Sequence, residues 1–164
     1  MTPAGTHLRE ITDGNRAAVR ALRVRKRQKH FVASVTESLK DAATEPEANP
    51  WYRAVYSGDE PVGFVMLAWN TPTERPGAGR YCLWRLLIDK HHQRRGIGRE
   101  ALRQVIDLIR AEGGAELLTS YEPGDGDPGP FYRAVRFGPT GEIDDGEIVM
   151  RLELGSGASS PPSR

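Results

Sequence analysis

The sequence predicts a mixed α/β (α+β) domain in which a central sheet packs against helices. Three observations support this fold class. Segments with strand composition alternate along the chain with segments whose apolar residues recur at helical spacing. A strand, a glycine-containing loop and a long amphipathic helix follow one another within residues 83–109. The chain has 164 residues, which is enough to bury such a sheet within one domain.

The first half of the chain predicts a strand, two helices and a hairpin, in this order. We expect the strand at residues 6–11, the helices at 17–22 and 31–42, and the hairpin strands at 51–56 and 62–69. The second helix is indicated by Phe31, Val35 and Leu39, which recur at helical spacing before two prolines interrupt the pattern. The segment Ser-Gly-Asp-Glu between the hairpin strands predicts a turn.

The second half predicts three more strands and two more helices. We expect a loop at residues 71–79, strands at 81–88, 116–121 and 147–154, a long helix over 101–109, a turn-rich loop at 122–130 and a short helix at 131–135. The long helix is indicated by one apolar stripe and ends at a pair of glycines. Residues 1–154 form the expected domain, and residues 155–164 are expected to be a disordered tail.

The composition argues against several classes of protein. Lysine and arginine (23) nearly balance aspartate and glutamate (22), so the overall charge does not favour nucleic-acid binding. The single cysteine, Cys82, cannot form an intramolecular disulfide, and no spacing of cysteine and histidine resembles a zinc site. The N-terminus lacks the apolar stretch of a signal peptide, and no apolar run is long enough to cross a bilayer. We therefore expect a cytoplasmic protein that binds neither membranes, nucleic acid nor metal.

The segment Gln-Arg-Arg-Gly-Ile-Gly at residues 93–98 lies between the end of a predicted strand and the long helix. Glycines allow the backbone to approach a ligand closely, and the first N–H groups of a helix lack partners within it. Such a place attracts anions. Arg94, Arg95 and Arg99 add positive charges with several donors each, which suit a pyrophosphate. The segment therefore predicts an anion-binding loop.

Other phosphate-binding motifs fit this loop less well. A dinucleotide-binding loop has a third glycine where this chain has Ala101, and a P-loop has a Gly-Lys-Ser/Thr sequence that is absent here. A plain turn stays open as an interpretation when the six residues are considered alone.

The six residues at 93–98 resemble the signature of the GNAT superfamily of acyl-CoA-dependent N-acetyltransferases, which is Gln/Arg-x-x-Gly-x-Gly/Ala. The order of predicted elements is similar to that of this family over nearly the whole chain. The closest similarity is to bacterial diamine or spermine/spermidine acetyltransferases, on Gln28-Lys29-x-Phe31-Val32, Leu86-x-Ile88-Asp89 and Thr140-Gly141-Glu142. The resemblance implies a mostly antiparallel sheet that is splayed at the acyl-CoA site and flanked by helices.

The resemblance also implies a role for individual residues. The backbone of the central strand would contact the pantetheine arm and the thioester of acetyl-CoA, and the loop would hold the pyrophosphate. This cofactor-binding set consists of Leu86, Leu87, Ile88, Gln93, Arg94, Arg95, Gly96, Ile97, Gly98 and Arg99. Tyr132 is the expected catalytic residue, which would protonate the departing thiolate, and the N–H of Ile88 would stabilise the oxyanion.

The expected reaction is the transfer of an acetyl group from acetyl-CoA to a small-molecule primary amine such as a polyamine. The amine would attack the thioester directly through a tetrahedral intermediate. Two alternatives stay open: a protein or peptide N-acetyltransferase, and a non-catalytic acyl-CoA-binding regulatory module. Relatives also suggest a homodimer, although no sequence feature specifies an interface.

Two departures from the family pattern concern the site. Many relatives place a glutamate base on the central strand, where this chain has Trp84 and Arg85, expected on opposite faces of the strand. The remaining candidates for the base are Glu37, Glu122, Glu142 and Glu147. In addition, Arg136 occupies a position that is usually glycine, which implies an arginine in the left-handed conformation of a helix cap.

Overall fold

One sheet of seven strands forms the centre of the fold among the residues that the computed structural model describes, 5–72 and 79–155. The strands are β1 (Thr6–Arg9), β2 (Pro50–Ser57), β3 (Glu60–Pro72), β4 (Gly79–Ile88), β5 (Glu116–Tyr121), β6 (Gly138–Asp144) and β7 (Glu147–Glu153). The helices are α1 (Arg16–Arg20), α2 (Val35–Thr44), α3 (Ile97–Ala111) and α4 (Gly129–Ala134), with 3₁₀ helices at Lys26–Gln28 and Pro46–Ala48.

The spatial order of the strands is β1-β2-β3-β4-β5-β7-β6, and every neighbouring pair is antiparallel except β4 and β5. The parallel pair β4 and β5 is joined in register only where Cys82 lies opposite Leu118. Beyond that point the two strands no longer pair, so the sheet opens toward the C-terminal end of β4. The mostly antiparallel, splayed sheet predicted from the sequence is confirmed.

Helices cover the two faces of the sheet and create two apolar cores. On one face, the α3 residues Ala101, Leu102, Val105 and Ile109 are fully buried or nearly so, because they form the apolar stripe of that helix. On the other face, α1 and α2 pack against β2, β3 and β4 around Phe64. None of the described helices has both the length and the apolar character that a membrane span requires.

The second helix starts later than its apolar pattern predicts. Phe31 and Val32 precede α2, which begins at Val35. Ser34 caps the helix, because its hydroxyl accepts a hydrogen bond from the Glu37 N–H and the Glu37 side chain accepts one from the Ser34 N–H, both at 3.1 Å. The predicted helix over 31–42 is therefore wrong in its first turn.

Strand β6 is missing from the sequence prediction. Its segment reads Gly-Pro-Thr-Gly-Glu-Ile-Asp, and most of its residues are exposed, so it carries no alternation of apolar and polar residues. Most of the predicted loop at 71–79, and of the predicted tail at 155–164, lies outside the described residues. The division into a domain and a tail stays a prediction.

Candidate active site

The end of β4 presents backbone groups to the opening in the sheet. The N–H of Asp89 donates to the carbonyl of Val62 at 2.8 Å, which fixes the alternation of the antiparallel ladder between β3 and β4. By this alternation, the backbone polar groups of Leu87 face β3, and those of Leu86 and Ile88 face away from it. Leu86 and Ile88 thus offer hydrogen-bonding groups where β4 and β5 separate.

The loop after β4 is shaped by two positive φ angles and by one glutamine. Arg94 has a φ of 63°, and Gly96, which caps α3, has a φ of 80°. The side-chain amide of Gln93 donates to the Ile88 carbonyl and to the Gln28 side chain, both at 2.9 Å. Gln93 therefore ties the loop to the strand end and to the first 3₁₀ helix.

The N-terminus of α3 opens into a cleft of about 550 Å³. Its walls include most of the predicted cofactor-binding residues: Leu86, Ile88, Gln93, Arg94, Gly96, Ile97, Gly98 and Arg99. Gly98 brings the helix close to the Phe131 ring, which lies 3.5 Å from the place of a Cβ atom. The cleft combines two guanidinium groups, an anion-attracting helix terminus and apolar walls. We name it the donor cleft.

Two residues of the predicted set do not line the donor cleft. Leu87 is only 2% exposed and packs in the core beneath α1 and α2. Arg95 is exposed and lies outside the cleft walls. The side-chain period of a strand explains the position of Leu87, because its neighbours on both sides point to the opposite face.

A second cleft of about 880 Å³ lies against the open face of β5, β6 and β7. It shares five residues with the donor cleft: Phe31, Val32, Leu86, Pro128 and Tyr132. The two clefts therefore meet at the splayed end of β4. We name the second one the acceptor cleft.

Tyr132 stands at this junction and is 8% exposed. The centroids of the rings of Phe137, Phe131 and Tyr121 lie 5.4, 5.9 and 6.0 Å from that of Tyr132. Burial raises the pKa of the Tyr132 phenol, and the Thr119 hydroxyl opposes this effect. The phenol therefore keeps its proton at neutral pH, as a proton donor must.

The acceptor cleft is rich in carboxylates. It is lined by Glu37, Glu116, Glu122, Glu142, Asp144 and Glu147, against the cations Lys29, Arg80, Arg85 and Arg151. All four candidates for the base thus line this cleft. The Ser34 N–H donates to the Glu37 carboxylate, and hydrogen bonding with Ser34 lowers the pKa of Glu37. The Ser120 hydroxyl donates to Glu147 at 2.6 Å.

Trp84 and Arg85 lie on the same face of β4, which corrects the prediction of opposite faces. The register between β3 and β4 shifts between Met66 and Leu67, so β4 has an extra residue at this point. Trp84 packs against the core beneath α2, and the Arg85 guanidinium lies over its ring and pairs with Asp41 of α2 at 2.8 Å. This pairing places the cation against α2.

A segment that precedes α2, residues 25–32, crosses to the loop that follows β5. Arg27 pairs with Asp125 at 2.9 Å, and the side chains of His30 and Glu122 are in contact. A Cβ atom at Gly124 would lie 3.0 Å from the Phe31 ring, so this glycine allows the close packing of the two segments. We name residues 25–32 the bridging segment. Its contacts span more than 90 residues of sequence, and no local pattern predicts them.

Within the described part of the chain, no group of three or more His, Cys, Asp or Glu side chains is arranged to hold a metal ion. The two adjoining clefts suit a phosphorylated donor and a separate acceptor.

Comparison with known proteins agrees with this arrangement. Residues 10–126 match the model of the Acetyltransferase (GNAT) family. The probable spermine N(1)-acetyltransferase of Bacillus subtilis subsp. natto is 31% identical over 154 residues, which cover 90% of this chain and 98% of that protein.

Solved structures share the fold. A GNAT-family acetyltransferase from Desulfovibrio desulfuricans has a TM-score of 0.68 at 19% identity, covering 92% of this chain and all of that one. The PaiA N-acetyltransferase of Thermoplasma acidophilum, solved with coenzyme A, has a TM-score of 0.63 at 14% identity, covering 91% of this chain and 99% of that one. The donor cleft fits acetyl-CoA as the acyl donor. With the signature loop at the mouth of that cleft and a family match over most of its length, the chain belongs to the GNAT family of acetyl-CoA-dependent N-acetyltransferases.

Proposed function

We propose that this enzyme transfers the acetyl group of acetyl-CoA to a primary amine of a small molecule, and that the preferred acceptor is a polyamine. The observation that carries the proposal is the junction of the two clefts at Leu86 and Tyr132. A thioester in the donor cleft and an amine in the acceptor cleft would meet at this point. The carboxylates of the acceptor cleft suit a chain with several ammonium groups. The similarity to a probable spermine acetyltransferase supports the same class of acceptor.

In the proposed mechanism, the neutral amine attacks the thioester carbonyl directly and forms a tetrahedral intermediate. The N–H of Ile88, which faces the opening of the sheet, stabilises the oxyanion. Tyr132 protonates the departing thiolate. Holding the two substrates together lowers the activation free energy by on the order of 7 kcal/mol, so positioning dominates catalysis.

The proposed cofactor-binding residues are those that line the donor cleft. Arg94 and Arg99, with the first N–H groups of α3, bind the pyrophosphate, and Gly98 allows its close approach. Gln93 keeps the loop in place through the Ile88 carbonyl. We leave Leu87 and Arg95 out of this set, because neither lines the cleft.

The direct test is to incubate the purified protein with acetyl-CoA and a panel of polyamines, diamines, amino acids, aminoglycosides and peptides, and to follow the release of free thiol. We expect the highest kcat/KM with a polyamine. A preference for peptides would reassign the acceptor to proteins. Tight acetyl-CoA binding without turnover of any amine would identify a regulatory module instead.

A charge variant tests the polyamine proposal separately. Glu142→Gln removes a carboxylate of the acceptor cleft, and we expect a severalfold rise in KM for spermine, since an exposed ion pair contributes roughly 0.2–1 kcal/mol. Glu153→Gln is the matched control, because this exposed residue of β7 lies outside the cleft walls. The cytoplasmic location and the homodimer stay predictions, which cell fractionation and light scattering would test.

A further inference from the structure

The imidazole of His30 and the carboxylate of Glu122 form a pair at the acceptor cleft. His30 Nε2 contacts Glu122 Oε2, and both side chains line the cleft. The Phe31 ring stands edge-on to the imidazole, with the ring centroids 5.0 Å apart. The imidazole is thus oriented from two sides, next to a residue that lines both clefts.

The contact with Glu122 determines which nitrogen of His30 is free. An ionised carboxylate only accepts hydrogen bonds, so Nε2 carries the proton and donates it to Glu122. Nδ1 therefore carries the lone pair in the neutral ring. Imidazole is also the side chain whose ordinary pKa lies closest to neutral pH, which suits it to general-base catalysis.

We propose that His30, oriented by Glu122, is the proton acceptor for the ammonium group of the acyl acceptor. This inference rests on the proposed function. The N–H bond of the ammonium breaks and a proton binds Nδ1, which frees the nitrogen lone pair to form a bond with the thioester carbonyl carbon. The C–S bond then breaks, and the thiolate takes the Tyr132 proton. The surplus proton on the new amide nitrogen returns to the Tyr132 phenolate, and the imidazolium releases its proton to solvent.

Four of the five other carboxylates of the cleft are less suited to this step. Glu37 lies in the first turn of α2, where hydrogen bonding with Ser34 lowers its pKa and weakens it as a base. Glu147 accepts a hydrogen bond from Ser120. Glu142 and Asp144 belong to β6, the strand farthest from the junction on this side of the sheet.

Several charged groups from neighbouring elements line the cleft around the pair. They are Lys29 of the bridging segment, Glu37 of α2 and Arg85 of β4. Arg85 pairs with Asp41, and Glu37 is hydrogen-bonded to Ser34. Glu122, by contrast, contacts the imidazole of His30 itself. The pH dependence described below is therefore assigned to the His30 and Glu122 pair.

The test compares His30→Gln, His30→Ala and Glu122→Gln with the wild-type enzyme on its best amine. At neutral pH we expect both His30 variants to lose about 100-fold in kcat/KM, the lower end of the effect of a general base. The acetyl-CoA Kd should stay within about twofold, because His30 lies outside the donor cleft. The deficit should shrink as pH rises, because the neutral fraction of a free amine grows about tenfold for each pH unit below its pKa.

Two further results separate a base from a merely structural side chain. Added imidazole should restore part of the activity of His30→Ala, while Glu122→Gln should lose less activity and gain nothing from imidazole. His91→Ala is the matched control, because His91 is an exposed histidine outside both clefts. We expect this variant to match the wild-type enzyme at every pH.

Three outcomes would overturn the inference. If His30→Gln and His30→Ala match an active wild-type enzyme across the pH range, another group accepts the proton, and the proposed function stands. An equal loss at every pH together with weaker acetyl-CoA binding assigns His30 a structural role. A wild-type enzyme that acetylates no amine overturns the proposed function, and this inference with it.

Discussion

The N–H of Phe137 donates to the carbonyl of Tyr132 at 2.9 Å and closes α4 behind the proposed proton donor. Arg136, between them, has a φ of 83°, and its own N–H donates to the carbonyl of Arg133 at 3.0 Å. These two bonds form a Schellman cap, with arginine at the position that glycine normally occupies. The left-handed arginine expected from the sequence is confirmed, and the cap keeps its usual shape despite it.

Replacing Arg136 with glycine should stabilise the protein. An L-residue in the left-handed region costs about 1 kcal/mol relative to glycine, and Arg136 is exposed, so few contacts are lost. We expect Arg136→Gly to raise the free energy of unfolding by about 1 kcal/mol, measured by urea denaturation. Arg136→Ala keeps the Cβ atom and should gain nothing. An equal gain in both variants would assign the effect to the guanidinium instead.

The burial of the Tyr132 phenol leads to a separate prediction about turnover. Tyr132→Phe removes the proposed proton donor, so kcat should fall about 100-fold, while the acetyl-CoA Kd changes little. Because burial raises the pKa of this phenol above the usual 10.0, the wild-type enzyme should not lose activity through its ionisation below that pH. Tyr121→Phe is the control, since this neighbouring ring also lines the acceptor cleft. An unchanged kcat in Tyr132→Phe would remove Tyr132 from the mechanism.

The elements that the sequence predicts well are those with a strong local signal. The apolar stripe of α3, the hairpin of β2 and β3, and strand β5 all follow from periodicity and turn residues, and the structure places them within a few residues of the prediction. The sequence prediction missed strand β6 because this strand is exposed at the edge of the sheet, where neither face needs apolar residues. The predicted start of α2 was wrong because Phe31 and Val32 are apolar residues that line the clefts and do not belong to the helix.

The site is only partly visible in the sequence. The loop at residues 93–98 is a local motif, and most of it lines the donor cleft, while its role in binding acetyl-CoA stays a prediction. The acceptor side depends on contacts between distant segments, such as Arg27 with Asp125 and His30 with Glu122. The alternation of side chains along a strand also does not predict the extra residue at Trp84, because this irregularity arises from the pairing of β4 with β3. Such features are decided by tertiary packing.

Arg95 of the loop and Arg99 in the first turn of α3 allow a matched test of phosphate binding. Arg99 lines the donor cleft and Arg95 does not, although both are exposed and carry the same charge. We expect Arg99→Ala to weaken CoA binding about tenfold, which corresponds to ~1.4 kcal/mol, and Arg95→Ala to have a much smaller effect. Isothermal titration calorimetry with CoA measures both. Equal losses would mean that the pyrophosphate is bound by net charge alone.

Asp89 should make stability depend on pH. It is 8% exposed, and burial alone would raise its pKa, but hydrogen bonds from the N–H groups of Arg23 and His91 outweigh this and lower the pKa below 3.8. A carboxyl with a lowered pKa stabilises the fold above its unfolded pKa, and this contribution is lost as pH falls through the folded pKa.

We therefore expect Asp89→Asn to lower the free energy of unfolding by roughly 1.5–3 kcal/mol at neutral pH, the usual worth of hydrogen bonds to a charged group. The difference from wild type should shrink as the pH is lowered through the acidic range. Asp59→Asn is the control, because its carboxylate is fully exposed and pairs with Arg9 at the surface. A deficit in Asp89→Asn that stays constant with pH would show that the charge is not what matters.

Gly63 lies opposite Ile88, at the end of β4 where the site begins. A Cβ atom at this glycine would lie 2.6 Å from the Leu87 carbonyl oxygen and 2.8 Å from the Ile88 Cδ1, so Gly63→Ala forces a backbone shift. Overpacking of this kind costs about 2 kcal/mol, and we expect the free energy of unfolding, measured by urea denaturation, to fall by that amount. Because the shift moves the strand end that presents Leu86 and Ile88, kcat should fall together with stability. Gly138→Ala is the matched control in β6, where a Cβ atom meets nothing within 4 Å. If Gly63→Ala lost stability and kept its kcat, the position of the strand end would not limit the reaction, and the proposed oxyanion role of Ile88 would be contradicted.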